Sequence, residues 1–406
     1  MGIDGGIDYT HYTREQLEDA RWRIDRGRFP LNYQALMAEI ERRRAEERTV
    51  AEAAERDDLS QSISRHSPEF RADPKEYFRI WIVNLALTIL TLGIYSAWAK
   101  VRKLRYFYAN TVLAGSAFGY HADPVRILRG RIIAAILAGS YLLATRISPI
   151  ATVVMLAVIG VATPWLVVKS RTFAMRVTSW RGLRFDFAPD YAGAYRVLLG
   201  WLILGIVSLG ILMPRAARER YRFVMSRSRF GATPFDCNPG IGRFYKTVFG
   251  AMGLALAIGV IGGLLSAAVT HAFAQALPST PGVRRILALV PVLLTYALLL
   301  PTLHGYTQAR NLNEVFSTTS LGPHRFISRL SAGTLIGLYL SNLALIVLTL
   351  GMFTPWAQIR VARYRLEAIE LEVHGSLDEF ATAAAAPLPS ATGEELTSFL
   401  DVDFGF

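Results

Sequence analysis

Seven stretches of the chain are apolar over lengths that suit a lipid bilayer: residues 77–97, 132–145, 150–168, 197–213, 248–274, 286–303 and 334–354. A helix rises 1.5 Å per residue and needs roughly 20 apolar residues to cross the hydrocarbon core. Stretch 132–145 reaches that length only with its flanks. None shows the alternation of a membrane strand, so helices are expected rather than a barrel. The first 60 residues are polar by contrast and predict two short helices. Thr13 and Gln16 have capping-box spacing, and Leu17, Ala20, Trp22 and Ile24 follow. Gly27 and Pro30 interrupt; a second helix from Tyr33 to about Glu47 carries Leu36, Met37 and Ile40 on one face. Residues 57–68 read as a linker. The predicted fold is all-α: a polytopic membrane protein with about seven hydrophobic segments and a small N-terminal helical hairpin. Its expected boundaries are 1–70 for hairpin and linker, 71–380 for the membrane domain and 381–406 for a disordered acidic tail.

The membrane domain repeats itself. Residues 84–102 reappear at 342–360, with Asn84, Gly93, Trp98 and Arg102 recurring as Asn342, Gly351, Trp356 and Arg360. Weaker copies include Gly160, Pro164, Trp165 and Phe185, then Gly210, Pro214 and Phe235, and a degraded one at Pro301 and Phe326, about five units in all. Each unit reads as an apolar helix, a Leu-Gly pair, an interfacial tryptophan (Trp98, Trp165, Trp356), a basic helix and a short segment ending in Phe. An Asp-Pro or Asn-Pro pair often follows that Phe, as at Asp123-Pro124. Arg102 and Arg105, like Arg360 and Arg363, are three apart and share a helix face. A helix lying along the interface with its bases on anionic headgroups is the natural expectation.

Charge sharpens the topology. Residues 1–70 carry a net −4 and residues 71–377 a net +22, while the tail from Asp378 has six acids and no base. Since the bases cluster at the ends of membrane segments, anionic lipid is the expected partner and nucleic acid is not. Seven bases lie in 100–131, five in 169–184 and seven in 215–243, and the positive-inside rule wants all three loops in the cytosol. Only one apolar stretch, 197–213, separates the second loop from the third. Either single stretches span and the repeats alternate in orientation, or they dip in and return, bending near Asn84, Gly200 and Asn342. Charge favours the second arrangement, with the N-terminus cytosolic.

From Tyr77–Asn84 through Thr91–Arg102 to Tyr108–Thr111 and Gly115–Phe118, the chain resembles the YjgN-like family of bacterial inner-membrane proteins, a domain of unknown function. The resemblance covers about 68–380 and is strongest at its two ends; Arg215 stands where a Trp is expected. It implies a multi-pass protein of the bacterial inner membrane and carries over no catalytic or binding residues. The Tyr12–Arg44 module lies outside it and is similar to a short cytosolic motif appended to various bacterial membrane proteins, so residues 12–47 are a candidate surface for a cytosolic protein partner.

No phosphate loop, H-E-x-x-H or nucleophile elbow occurs, and the seven histidines lack metal-ligand spacing. Cys237 is the only cysteine. The reading therefore names no catalytic residue, metal or cofactor, and leans away from an enzyme. Asn84 and Asn342, buried in apolar stretches, need partners: either an interhelical hydrogen bond or a polar site between repeats. The function expected is that of an integral membrane protein, with a transporter or channel as the first class. A membrane-organising or anionic-lipid-binding protein, or a partner-docking signalling protein, is the alternative.

Overall fold

The structure, a computed structural model, describes residues 4–61, 63–276 and 281–385; most of the expected acidic tail lies outside them. Contacts divide the chain into two compact bodies, one of residues 1–63 with 374–376 and one of the remainder. In the first body, helix α1 (Arg14–Arg23) starts on the expected capping box: Gln16 N donates to Thr13 Oγ1 and Thr13 N to Gln16 Oε1. Helix α2 (Pro30–Gln61) continues through the start of the expected linker. Tyr9, Leu17, Leu36 and Ile40 form the core between them.

The second body repeats one pattern: helix, tight turn, helix, β-hairpin. Two strands precede it, β1 (Ile63–His66) and β2 (Glu69–Phe70). The first repeat has α3 (Pro74–Leu90), α4 (Ser96–Ala109), β3 (Thr111–Leu113) and β4 (Ser116–Tyr120). The second has α5 (Pro124–Ile147), α6 (Pro149–Arg176), β5 (Thr178–Trp180) and β6 (Leu183–Phe187). In the third, α7 (Tyr191–Ala194) runs through a π-helical turn (Tyr195–Gly200) into α8 (Trp201–Val207), followed by α9 (Met213–Arg227), β7 (Ser228–Phe230) and β8 (Thr233–Cys237). The fourth has α10 (Ile241–Ala276), α11 (Pro281–Ser317), β9 (Thr319–Leu321) and β10 (His324–Ser328). The fifth has α12 (Ala332–Leu348), α13 (Thr354–Glu367) and β11 (Ile369–His374), with a last helix α14 (Leu377–Ala384).

The sequence dictates each joint. Asp73, Asp123 and Asp190 cap the helices that open their repeats, accepting from Lys75 N, Val125 N and Gly193 N, and in the first two Pro74 and Pro124 at the first turn lose no helical donor. The hydroxyls of Thr111, Thr178, Ser228 and Thr319 each donate to the carbonyl four residues back, satisfying the end of a helix as the strand begins. Each hairpin then turns at a left-handed residue, Ala114, Arg181, Gly231 or Gly322. In the first two, Gly115 and Gly182 also have positive φ, the backbone that a two-residue hairpin requires.

The all-α expectation is therefore corrected: strands β1 to β11 form one sheet in the order β1-β11-β10-β9-β8-β7-β6-β5-β4-β3-β2, antiparallel at every pair from β11 to β2. The two-to-six-residue strands were hidden between basic helices. At about 4.8 Å per strand, a flat sheet of this order would hold its edges almost 50 Å apart. Yet edge strands β1 and β2 are joined only by Ser67 and Pro68, which reach about 11 Å at most from His66 to Glu69. The sheet must curl back on itself. Its core holds Leu113, Trp180, Phe230, Leu321 and Leu371, ringed by Phe118, Phe185, Phe235 and Phe326, with α14 packed in through Leu377 and Ala384.

The helices close the same circuit. One apolar cluster sits at each junction between successive repeats, and Phe70, Ala72 and Tyr77 of the first repeat close on Ile359 of the last. Every helix pair begins and ends on strands of the one sheet, so every pair is a hairpin. Among the described residues four helices are long and apolar enough to cross a membrane, in α5, α6, α10 and α11, in place of the expected seven segments. The single stretches 77–97, 197–213 and 334–354 are instead the halves of shorter hairpins. Their turns do not fall at Asn84, Gly200 or Asn342. They fall at Leu92-Gly93, Leu209-Gly210 and Leu350-Gly351, all with positive φ. Gly93 N donates to Thr88 O, Gly210 N to Gly205 O and Gly351 N to Ile346 O, the six-to-one bond of a Schellman ending.

Candidate functional site: a cationic cavity among the helices

The paired asparagines occupy equivalent buried positions on α3 and α12, yet they differ chemically. Asn342 Oδ1 accepts from the Arg360 guanidinium at 2.8 Å, and its amide donates to Ala357 O at 3.4 Å. Asn84 Oδ1 is buried without a hydrogen-bond partner among the described residues, and Arg102, the repeat equivalent of Arg360, is exposed. Arg105 and Arg363 are tied to protein: Arg105 donates to Ala122 O at 3.2 Å and Arg363 to Ala72 O at 3.0 Å. Arg218 to Pro239 O and Asn313 to Leu330 O make the same clamp at two further junctions. Trp98 stacks on Tyr95, Trp356 packs between Phe353 and Phe78, and Trp165 lies in a groove beside Tyr195.

Asn342 also lines a cavity of about 940 Å³ bounded by α4, α11, α12 and α13, a volume suited to a small molecule. Asn84 does not line it. Its walls are mainly apolar, with Leu300, Leu343, Ile346 and Val361, and besides Asn342 and Thr354 its polar groups are Lys103, His304, Tyr339, Gln358 and Arg365. Among the described residues no carboxylate lines it. The Lys103 ammonium lies 5.6 Å from the centre of the Phe107 ring and has no acidic partner among the described residues. Burial pushes it below its ordinary pKa. Gln358 Oε1 accepts from Tyr77 Oη at 2.8 Å, and Tyr339 Oη donates to Gln308, so these groups are held in place.

The cavity uses the repeat. Residues 103 and 107 on α4 correspond to 361 and 365 on α13, at the spacing that relates Asn84 to Asn342. Both helices turn the same face inward, but the cation sits at the first position in one (Lys103, Phe107) and at the second in the other (Val361, Arg365). Sequence reasoning singled out Arg102 and Arg360 and passed over these two. The readable signal was a cation at unmatched positions of otherwise matched repeats. Among the described residues no group of His, Cys, Asp and Glu could hold a metal ion.

Hairpin repeats of membrane-length and shorter apolar helices, carried on one curled sheet, define a polytopic membrane protein. The chain belongs to the family described as bacterial protein of unknown function (DUF898), whose model matches residues 65–399. It is similar to the inner membrane protein YjgN of Escherichia coli O157:H7, at 28% identity over 36% of this chain and 37% of that one. It is equally similar to that of Salmonella typhimurium, at 28% over 38% and 39%. The aligned part thus spans less than half the length of these curated relatives. No solved structure matches.

Proposed function

We propose that this protein binds an anionic amphiphile, of the phospholipid class, in the cavity between α4, α11, α12 and α13. The observation that carries the reading is the pairing of two cations, Lys103 and Arg365, with walls that are mainly apolar and, among the described residues, free of carboxylate. An acyl chain removes apolar wall from water or weakly packed lipid, and a phosphate supplies the counter-charge that the protein lacks there. Arg102, exposed on the same helix as Lys103, adds a further cation for headgroups. All strands then lie on the cytosolic side, as the three basic loops require.

The test is lipid retention. Purified protein carries phosphatidylglycerol or cardiolipin through washing, and Lys103→Gln with Arg365→Gln loses it, with affinity falling about fivefold for each cation removed. Retention unchanged in the double variant would sink the reading. Binding also weakens as pH rises through the depressed pKa of Lys103, because the anion favours the charged form.

A second reading, transport of that ligand, draws on the cavity wall being shared by the first, fourth and fifth repeats. Movement of a labelled anionic lipid between leaflets of reconstituted vesicles, lost in the same double variant, would separate a carrier from a binder.

A further inference from the structure

The N-terminal body ends at one pole in a surface that its own fold does not explain. Trp22, near the end of α1, is 88% exposed although Tyr9, Leu17, Leu36 and Ile40 form a core beside it. Leu31, at the start of α2, is 56% exposed. Around them stand Arg21, Arg23, Arg26 and Arg28, all exposed. Residues 21–31 hold these four arginines against one aspartate, a net of +3, whereas the rest of 1–61 holds six bases against thirteen acids, a net of −7.

The arginines at this pole are largely unclaimed. Arg23 pairs with Asp19 at 2.9 Å. Arg26 lies over the Tyr33 ring and Arg28 over the Phe29 ring, and among the described residues neither they nor Arg21 has an acidic partner. Asp25 is occupied in the turn, accepting from Gly27 N and Arg28 N. An indole and a leucine set among guanidinium groups that, Arg23 apart, have no acidic partner among the described residues match the headgroup layer of an anionic bilayer, where the ring takes the interface and the bases take phosphate. A chain that carries membrane-length helices keeps a bilayer tethered within reach, which raises its effective concentration over any soluble acid. We propose that residues 21–31 form a docking surface for anionic phospholipid headgroups, distinct from the cavity and resting on none of its residues.

The test uses the full chain with Leu31→Cys labelled by an environment-sensitive fluorophore; Cys237 is 1% exposed and does not compete. The protein is reconstituted in nanodiscs of phosphatidylcholine alone or with phosphatidylglycerol. The expected result is a blue shift and quenching by spin-labelled lipid in the anionic discs, weakened by salt. Combined Arg21→Gln, Arg26→Gln and Arg28→Gln abolishes the shift, while Arg44→Gln with Arg48→Gln, elsewhere on α2, leaves it in place. Emission that is the same in both discs, or a shift that survives the triple variant, overturns the proposal. So does a label that ignores lipid and responds to nucleic acid or to an acidic protein. Cavity variants at Lys103 and Arg365 leave this signal unchanged, so the two readings fail separately.

Discussion

Asn84 and Asn342 stand at the same place in two repeats, but only one is engaged, and their substitutions should differ accordingly. Asn342→Leu removes the acceptor of the Arg360 guanidinium in a buried setting and should cost about 1–3 kcal/mol. Asn84→Leu removes a buried oxygen without a partner among the described residues and should be neutral or stabilising. Thermal unfolding in detergent checks both, and equal losses would show that Asn84 is also engaged. A second contrast lies in the N-terminal body. Arg42 and Arg43 hold the Glu39 carboxyl down at about 2, from an ordinary 4.5. A depressed carboxyl contributes stability that is present above its unfolded value and lost as pH falls through its folded one. Glu39→Gln should therefore destabilise this body at neutral pH, and the difference from wild type should shrink between pH 4.5 and about 2. Denaturant titrations across that window read it, and a pH-independent difference would remove the ion pair as its source.

At the scale of elements, the three short hairpins make one statement three times. A leucine in the left-handed region costs about 1–2 kcal/mol relative to glycine, and Leu92, Leu209 and Leu350 are 93–95% exposed in the structure. Water would favour glycine or asparagine at such tips; hydrocarbon favours leucine. The apolar helices leading to them have 17 residues, about 25 Å, short of the hydrocarbon core's thickness, so their tips should stop inside the bilayer. Single cysteines at these leucines should resist impermeant maleimide from both sides, whereas one at Ser148, between α5 and α6, should react from the side opposite the sheet. Labelling of Leu92→Cys from that opposite side would mean that the short hairpins cross. Much of this was legible: the Leu-Gly pairs, the Asp-Pro starts and the basic loops all appear in the sequence, and charge alone favoured hairpins. The bend was misplaced because a polar residue or glycine in mid-segment looked like a break, while the residue that actually turns is an apolar one. The strands went unread because two to six residues are too few to show alternation. Their signal was the turn itself, Ala114-Gly115 and Arg181-Gly182 between a hydroxyl residue and a phenylalanine.

The whole second body depends on parts meeting that are distant in sequence. Gly231 leaves room for α14: a β-carbon there would lie 2.2 Å from Ala384 O, and its φ of +55° already disfavours a side chain. Gly231→Val should therefore unseat α14 and speed proteolytic loss of the C-terminal segment, with limited proteolysis as the measure. An unchanged cleavage rate would mean that the helix is not held by this fit. The circuit also has a seam. Ser67 and Pro68 link strands at opposite ends of the sheet order, and β1 meets its neighbour β11 through contacts such as Arg65 with Glu372, 307 residues later in the chain. During synthesis, then, the first repeats can form only an open arc. Closure waits for the ribosome to release the fifth repeat, and a chain that stalls before β11 keeps two unpaired rims ready to join another copy of itself.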